Sequence, residues 1–172
     1  MIINLLLPIF MYQKIVTSVD FGPAIWISRT GNYYQASSEI YFSVVWNFVE
    51  VNYSYINFPR RKITNDQLLT HHLGITLLKD IWQDDKNIFG IGIGPSYWII
   101  THRYNKAYER AGVIGLKYGV YSEHYLSQDR KWLFAVKFKI DELIEYRILN
   151  SLLTIHPQFL LTTTLGIKLI IK

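Results

Sequence analysis

The sequence predicts an all-β fold: an eight-stranded antiparallel up-and-down barrel that crosses a membrane. Three observations predict it. Apolar residues recur at every second position through most of the chain, which is the period of a strand. The opposite faces carry charges on strand after strand. Long and short polar connections alternate between the strands. The stretch IFGIGIGPSYWII, residues 88–100, displays the period clearly. Phe89, Ile91, Ile93, Pro95, Tyr97 and Ile99 fall on one face, and Gly90, Gly92, Gly94, Ser96 and Trp98 on the other. A glycine face weakens a strand unless something must approach it closely. These glycines are expected to leave room for lysines and glutamates from other strands.

The first strand lies in residues 17–28, with Val19, Phe21, Ile25 and Ile27 opposite Ser18, Asp20, Gly22, Ala24 and Ser28. A turn-rich connection, 29–38, leads to the second, where Ile40, Phe42, Val44 and Trp46 oppose Glu39, Tyr41 and Ser43. The parity flips at 47–48, as a tight hairpin requires. Val49, Val51, Tyr53 and Tyr55 then oppose Glu50, Asn52 and Ser54. After a polar connection at 59–69, Leu73, Ile75 and Leu77 mark the fourth strand. Residues 83–87, QDDKN, form a short turn into the fifth. A connection at 103–109 precedes the sixth, with Ile114, Leu116, Tyr118 and Val120 against Gly115, Lys117, Gly119 and Glu123. Past the turn at 126–131, Trp132, Phe134, Val136, Phe138 and Ile140 oppose Ala135, Lys137 and Lys139. Residues 141–157 read as a long connection holding a loop, a helix or an extra strand. The last strand sets Leu161, Thr163, Leu165, Ile167, Leu169 and Ile171 against Thr162, Thr164, Gly166 and Lys168. Each strand meets the ~9–11 residues that a tilted strand needs to cross a bilayer.

A chain of 172 residues is one domain by length. Half of it is apolar, yet no run of 18 apolar residues occurs, so no helix spans a membrane. Thirteen Tyr, nine Phe and five Trp favour strands that meet a membrane interface. The five tryptophans, Trp26, Trp46, Trp82, Trp98 and Trp132, are expected in aromatic girdles. With no Cys there is neither a disulfide framework nor thiolate chemistry. The net charge of +5 sits on no basic helical stripe with a water-facing aromatic platform, so nucleic acid is not the expected partner. Residues 1–14 resemble a signal core but lack a basic start and a small-residue cleavage site. They are expected to be an N-terminal segment or remnant signal, with the barrel over 15–172.

The charged faces decide which side is inside. Eight charges on the non-bulky faces cannot all sit in an apolar core, since burying each unpaired costs several kcal/mol. The bulky faces therefore meet lipid and the charges meet a narrow lumen. There Asp20, Glu50 and Glu123 are expected to form an ionic network with Lys117, Lys137, Lys139 and Lys168, too full for a wide pore. A soluble calycin-like ligand-binding barrel needs the opposite arrangement, an apolar lumen and a polar exterior.

On the segments GIGIGPSYW, GVIGLKYGVYSEHYLS and TTTLGIKLIIK, the chain resembles the small bacterial outer-membrane β-barrel superfamily, the OmpA-like barrels and their relatives. The resemblance covers residues 15–172 at the level of pattern. It implies a location in a bacterial outer membrane, a monomer, and a structural or surface-binding role in adhesion or membrane integrity. Members usually end in an aromatic residue, whereas this chain ends in Ile171–Lys172.

Some members modify lipid A, a reaction that calls for a nucleophile, a base and an orienting group. SEHYLSQD, residues 122–129, brings Ser122, Glu123, His124 and Ser127 together, but Ser127 lies three positions past His124, unlike the His-x-Ser of the deacylases. It also lies at the short-turn end. His71, His72, His102 and His156 are expected near the long-connection rim, and adjacent histidines on a strand point to opposite faces. No catalytic residue, metal or cofactor is expected. Arg60, Arg61 and Lys62 in one long connection, and Arg103, Lys106 and Arg110 at the next, are candidate contacts for lipopolysaccharide phosphates.

Overall fold

A computed structural model describes residues 15–28, 34–59, 66–104, 107–143 and 157–171. Residues 1–14 lie outside the described residues, as do Arg60, Arg61, Lys62, Lys106 and His156. Eight strands pair in sequence order, all antiparallel, and β8 closes on β1. They are β1 (Ile15–Ser28), β2 (Tyr34–Trp46), β3 (Val49–Asn57), β4 (Asp66–Gln83), β5 (Asn87–Tyr104), β6 (Ala107–Tyr125), β7 (Trp132–Leu143) and β8 (Pro157–Ile171). Closure leaves no sheet edge, so the main chain of the wall satisfies its own hydrogen bonds, as a strand in lipid requires. Paired residues traced once round from Trp82, through Phe89, Ser122, Val136, Leu165, Phe21, Ile40 and Tyr55, lead back to His71. That stagger is the shear of tilted strands.

Three turns lie at one end with the described chain ends. In the hairpin at 47–48, Asn47 takes φ 56°, a left-handed conformation that Asn tolerates well. Asp84 accepts bonds from the backbone N–H groups of Lys86 (2.7 Å) and Asn87 (2.6 Å). In the third turn, Asp129 accepts from the Ser127 hydroxyl at 2.5 Å and the Lys131 N–H at 3.2 Å. These bonds to the charged form hold both carboxyls below the ordinary aspartate range.

At the other end the strands run further than the alternation suggests. The expected connection 29–38 narrows to 29–33, because β2 starts at Tyr34. Only 105–106 separate β5 from β6, and β7 continues through Leu143. In QASS, residues 35–38, neither face carries a bulky apolar residue, so the period vanishes while the ladder persists. Gln35 and Ser37 even bond across to the carbonyls of Pro59 and Asn57.

The atoms nearest the glycines of β5 belong to neighbouring strands rather than to lysine or glutamate side chains, although Gly92 does line the lumen space shared by Glu50, Lys117, Lys137, Lys139 and Lys168. A Cβ on Gly94 would lie 1.9 Å from the Ile75 carbonyl oxygen, and one on Gly90 would lie 2.3 Å from the Tyr121 ring. At Gly92 it would meet Thr76 at 2.8 Å. The segment recurs in β1, where a Cβ on Gly22 would lie 1.7 Å from the Thr163 carbonyl oxygen. The close approaches at Gly22 and Gly94 each precede a proline, Pro23 or Pro95, which has no N–H to give, and the ladder to the neighbouring strand is interrupted there. Three residues after each proline a tryptophan, Trp26 or Trp98, points into the barrel.

Gly22→Val and Gly94→Val are each expected to destabilise the folded barrel by about 3 kcal/mol or more, at the upper end of overpacking costs. The urea midpoint of the detergent-refolded protein checks this. The bonds that clasp Asp84 and Asp129 contribute above the ordinary aspartate value of 3.8 and are lost as the pH falls through their lower folded values. Amide NMR shifts of Asn87 and Lys131 should stay constant down to that value; movement above it would contradict the assignment.

Candidate functional site

The barrel interior has three layers. At the turn end, Val16, Val45, Ile88, Tyr121, Leu133 and Ile170 pack together. At the opposite end, Trp26, Ile56, Phe58, Leu68, Trp98 and Leu160 belong to a second apolar cluster. Trp26 meets Phe58 edge-on with ring centroids 5.6 Å apart. Between these plugs lies the charged layer, with four lysines facing five carboxylates, all buried.

Strand alternation delivers each charge inward, and cross-barrel reach pairs them. Lys137 Nζ sits 3.0 Å from Asp20 Oδ2 and 3.0 Å from Glu50 Oε2. Glu50 also accepts from the Tyr41 hydroxyl and, at 3.1 Å, from Ser43. Lys139 pairs with Glu39 at 2.8 Å and lies 3.5 Å above the Tyr41 ring centroid. Lys168 pairs with Glu123. Lys117 donates to Asn52 Oδ1 at 2.6 Å. Tyr41 is thus the hub: its hydroxyl engages an acid while its ring receives cations.

All seven residues proposed for the network from the sequence are buried in this layer. Glu39 and Asp141 join them. Glu39 was legible on the polar face of its strand. Asp141 fell in the expected connection 141–157, although the inward sequence Lys137, Lys139, Asp141 simply continues by twos. His72 is also a lumen residue, stacked on Trp98 with centroids 4.3 Å apart. Its Nε2 stands 3.8 Å from Asp141 Oδ1, and neither atom has a hydrogen-bond partner among the described residues.

His71 points outward beside Tyr53 and Tyr55, so the adjacent histidines do face opposite ways. His102 is buried near the long-connection end of β5. His124 shares a 2.8 Å bond with Asn87, and Ser127 bonds Asp129, so the two are held in separate contacts. Among the described residues no three His, Asp or Glu side chains are grouped to hold a metal. Arg103 and Arg110 are exposed at the long-connection end.

The outer wall is apolar. Phe21, Phe42, Val51, Ile75, Ile93, Ile114, Leu165 and Ile167 are all at least 45 % exposed. The girdle holds for Trp46, Trp82 and Trp132, which are exposed at the turn end. It fails for Trp26 and Trp98, which share inward parity with Ala24 and Ser96 and fill the lumen instead.

No family model matches the sequence, and no curated protein matches it. Solved structures do match. Neisserial surface protein A aligns with a TM-score of 0.66 at 11 % identity, covering 90 % of this chain and 96 % of that one. This chain has the fold of the small outer-membrane β-barrels. A major outer membrane protein of Thermus thermophilus aligns at 0.61 and 9 % identity over 91 % of this chain and 99 % of its own. Ail, the attachment invasion locus protein of Yersinia pestis, aligns at 0.58 and 9 % identity over 94 % and 100 %. The inverted faces of the barrel, apolar outside and ionic inside, are those of a membrane barrel and the reverse of a soluble ligand-binding one.

Removing one partner from the central triad exposes its cost. Lys137→Met, which strands Glu50 and Asp20, is expected to lower stability by ~3–5 kcal/mol. Adding Asp20→Asn and Glu50→Gln should recover most of that loss. Urea unfolding in micelles measures both, and a triple variant no better than the single one would show that the triad is not an electrostatic unit.

Proposed function

We propose that the protein resides as a monomer in a bacterial outer membrane, with its lumen sealed, and acts through the surface it presents at the long-connection end. The observation that carries this reading is the apolar outer wall around a fully buried charged layer. Such a wall is stable only against lipid, because a continuous apolar exterior far exceeds what water-exposed surfaces tolerate. The two apolar clusters and the paired charges fill much of the lumen, which supports a structural or surface-binding role rather than bulk transport. In small barrels of this kind short turns face the periplasm and longer connections face outward. Ail is described as an attachment invasion protein and has been crystallised with the heparin analogue sucrose octasulfate, so this architecture can present a ligand surface. Arg103 and Arg110 provide guanidinium groups at that end, suited to lipopolysaccharide phosphates or other polyanions. The candidate contacts Arg60, Arg61, Lys62 and Lys106 belong to the same proposal.

Protein refolded in micelles should migrate faster in SDS gels unboiled than boiled, and liposomes containing it should exclude sucrose. A water-soluble folded species formed without detergent would defeat the membrane reading; sucrose entry would defeat the sealed lumen. Replacing both Arg103 and Arg110 by Ala should weaken retention on immobilised lipopolysaccharide severalfold at low salt, an effect that added salt should shrink.

A further inference from the structure

The outer wall is not uniform. Across β4 to β7 it carries a groove of about 550 Å³ with an almost entirely apolar lining. Two rows of outward side chains bound it. One row runs Lys79, Ile91, Val120 and Phe138, each paired with the next in the ladder; the other runs one pleat higher, from Leu77 to Ile140. Between the rows, Gly92 and Gly119 are paired across β5 and β6 and line the floor.

The charge in that rim is out of place. Lys79 is exposed between the outward Leu77 and the exposed Ile81, and it has no ion-pair partner among the described residues. The neighbouring acid, Asp80, is engaged by the Tyr121 hydroxyl at 2.5 Å. An unpaired lysine on a lipid-facing wall costs ~2–4 kcal/mol at the bilayer midplane and little at the interface. Trp82 and Phe89, paired just beyond it toward the turn, mark that interface. Strand tilt carries the groove obliquely. From Lys79, four positions before the end of β4 at the turn, it climbs to Phe138, six positions from the turn-side end of β7.

We propose that this groove binds one net-anionic glycerophospholipid of the turn-side leaflet, its phosphate on Lys79 and an acyl chain lying over Gly92 and Gly119. The cation stands at head-group depth, and the apolar channel leads from it toward the bilayer centre, which is the order of parts in such a lipid. A lone ammonium favours a head group of net negative charge over a zwitterionic one. The inference rests on the membrane reading above.

The test is native mass spectrometry of the full chain in micelles doped equally with phosphatidylglycerol and phosphatidylcholine. The wild type should retain a single phosphatidylglycerol in preference. Lys79→Gln should cut that retention roughly fivefold, the worth of one interfacial lysine. Ile91→Trp, which fills the groove and leaves Lys79 in place, should reduce retention of both lipids. Lys131→Gln, in the turn at 126–131, should change neither. Equal retention of the two lipids by the wild type, or unchanged retention in Lys79→Gln or in Ile91→Trp, overturns the lipid site. Each variant is first checked for the heat-dependent gel shift. Loss of that shift in the wild type itself overturns the membrane reading, whereas a retained shift without lipid preference overturns only the groove.

Discussion

The structure depends on keeping four ammonium groups inside a closed wall. Lys117, Lys137, Lys139 and Lys168 are all nearly inaccessible, and the backbone around them is committed to the barrel ladder. Each must therefore find its counter-charge or carbonyl within the lumen. Lys137 bridges Asp20 of β1 and Glu50 of β3 from its place on β7, so one side chain ties three strands that are not ladder neighbours. Lys139 does the same between β7 and β2. The ladder fixes neighbours; the ions fix the barrel across its width. Whether such an interior adds net stability over an apolar one is a separate matter, since desolvation consumes much of the attraction. Its clearer effect is on shape, because a misregistered strand would strand a charge.

The apolar plugs follow from the same requirement. Water reaching the charged layer would raise the local dielectric and weaken every pair in it. Trp26, Phe58 and Trp98 cover it at one end, and Leu133 and Ile170 narrow the other, where a cavity of about 330 Å³ still reaches Glu123 and Lys168. This explains why two of the five tryptophans are absent from the girdle. A membrane-facing tryptophan and a lumen-sealing one look alike in composition, and only parity separates them. Trp46 shares a face with Phe42 and Val44, whereas Trp26 shares one with Asp20 and Ala24.

Period-two alternation made the fold and its inverted faces legible, because a barrel one strand thick has only two sides and its chemistry differs sharply between them. What alternation missed has two causes. Near the long-connection end polar residues such as Ser38, Arg103, Arg110 and Glu142 stand on the outer face while apolar ones fill the inner face, so the split between the faces faded before the strands did; the extensions of β2, β5, β6 and β7 were hidden this way, and Asp141 with them. The role of the glycines was hidden for another reason. At Gly22 and Gly94 the nearest neighbours are backbone atoms, the Thr163 and Ile75 carbonyls, and no side-chain pattern records a close approach of main chain to main chain.

The row Leu78, Gly92, Gly119 and Lys139 joins the inside to the outside. Lys139 must extend inward to Glu39 over the Tyr41 ring, and Leu78 and Thr76 lean over Gly92 from the lumen side. A side chain at Gly119 would strike the Phe138 carbonyl oxygen at 2.3 Å, so the lumen and the ladder together require that the row be bare at its centre. A bare centre leaves the wall only a backbone thick, and its outer surface dips between the flanking Ile91, Ile93, Tyr118 and Val120. The backbone that must stay bare toward the lumen is thus the same backbone that floors the groove on the lipid side. A substitution that relieved the crowding within would be felt by whatever lies against the wall outside.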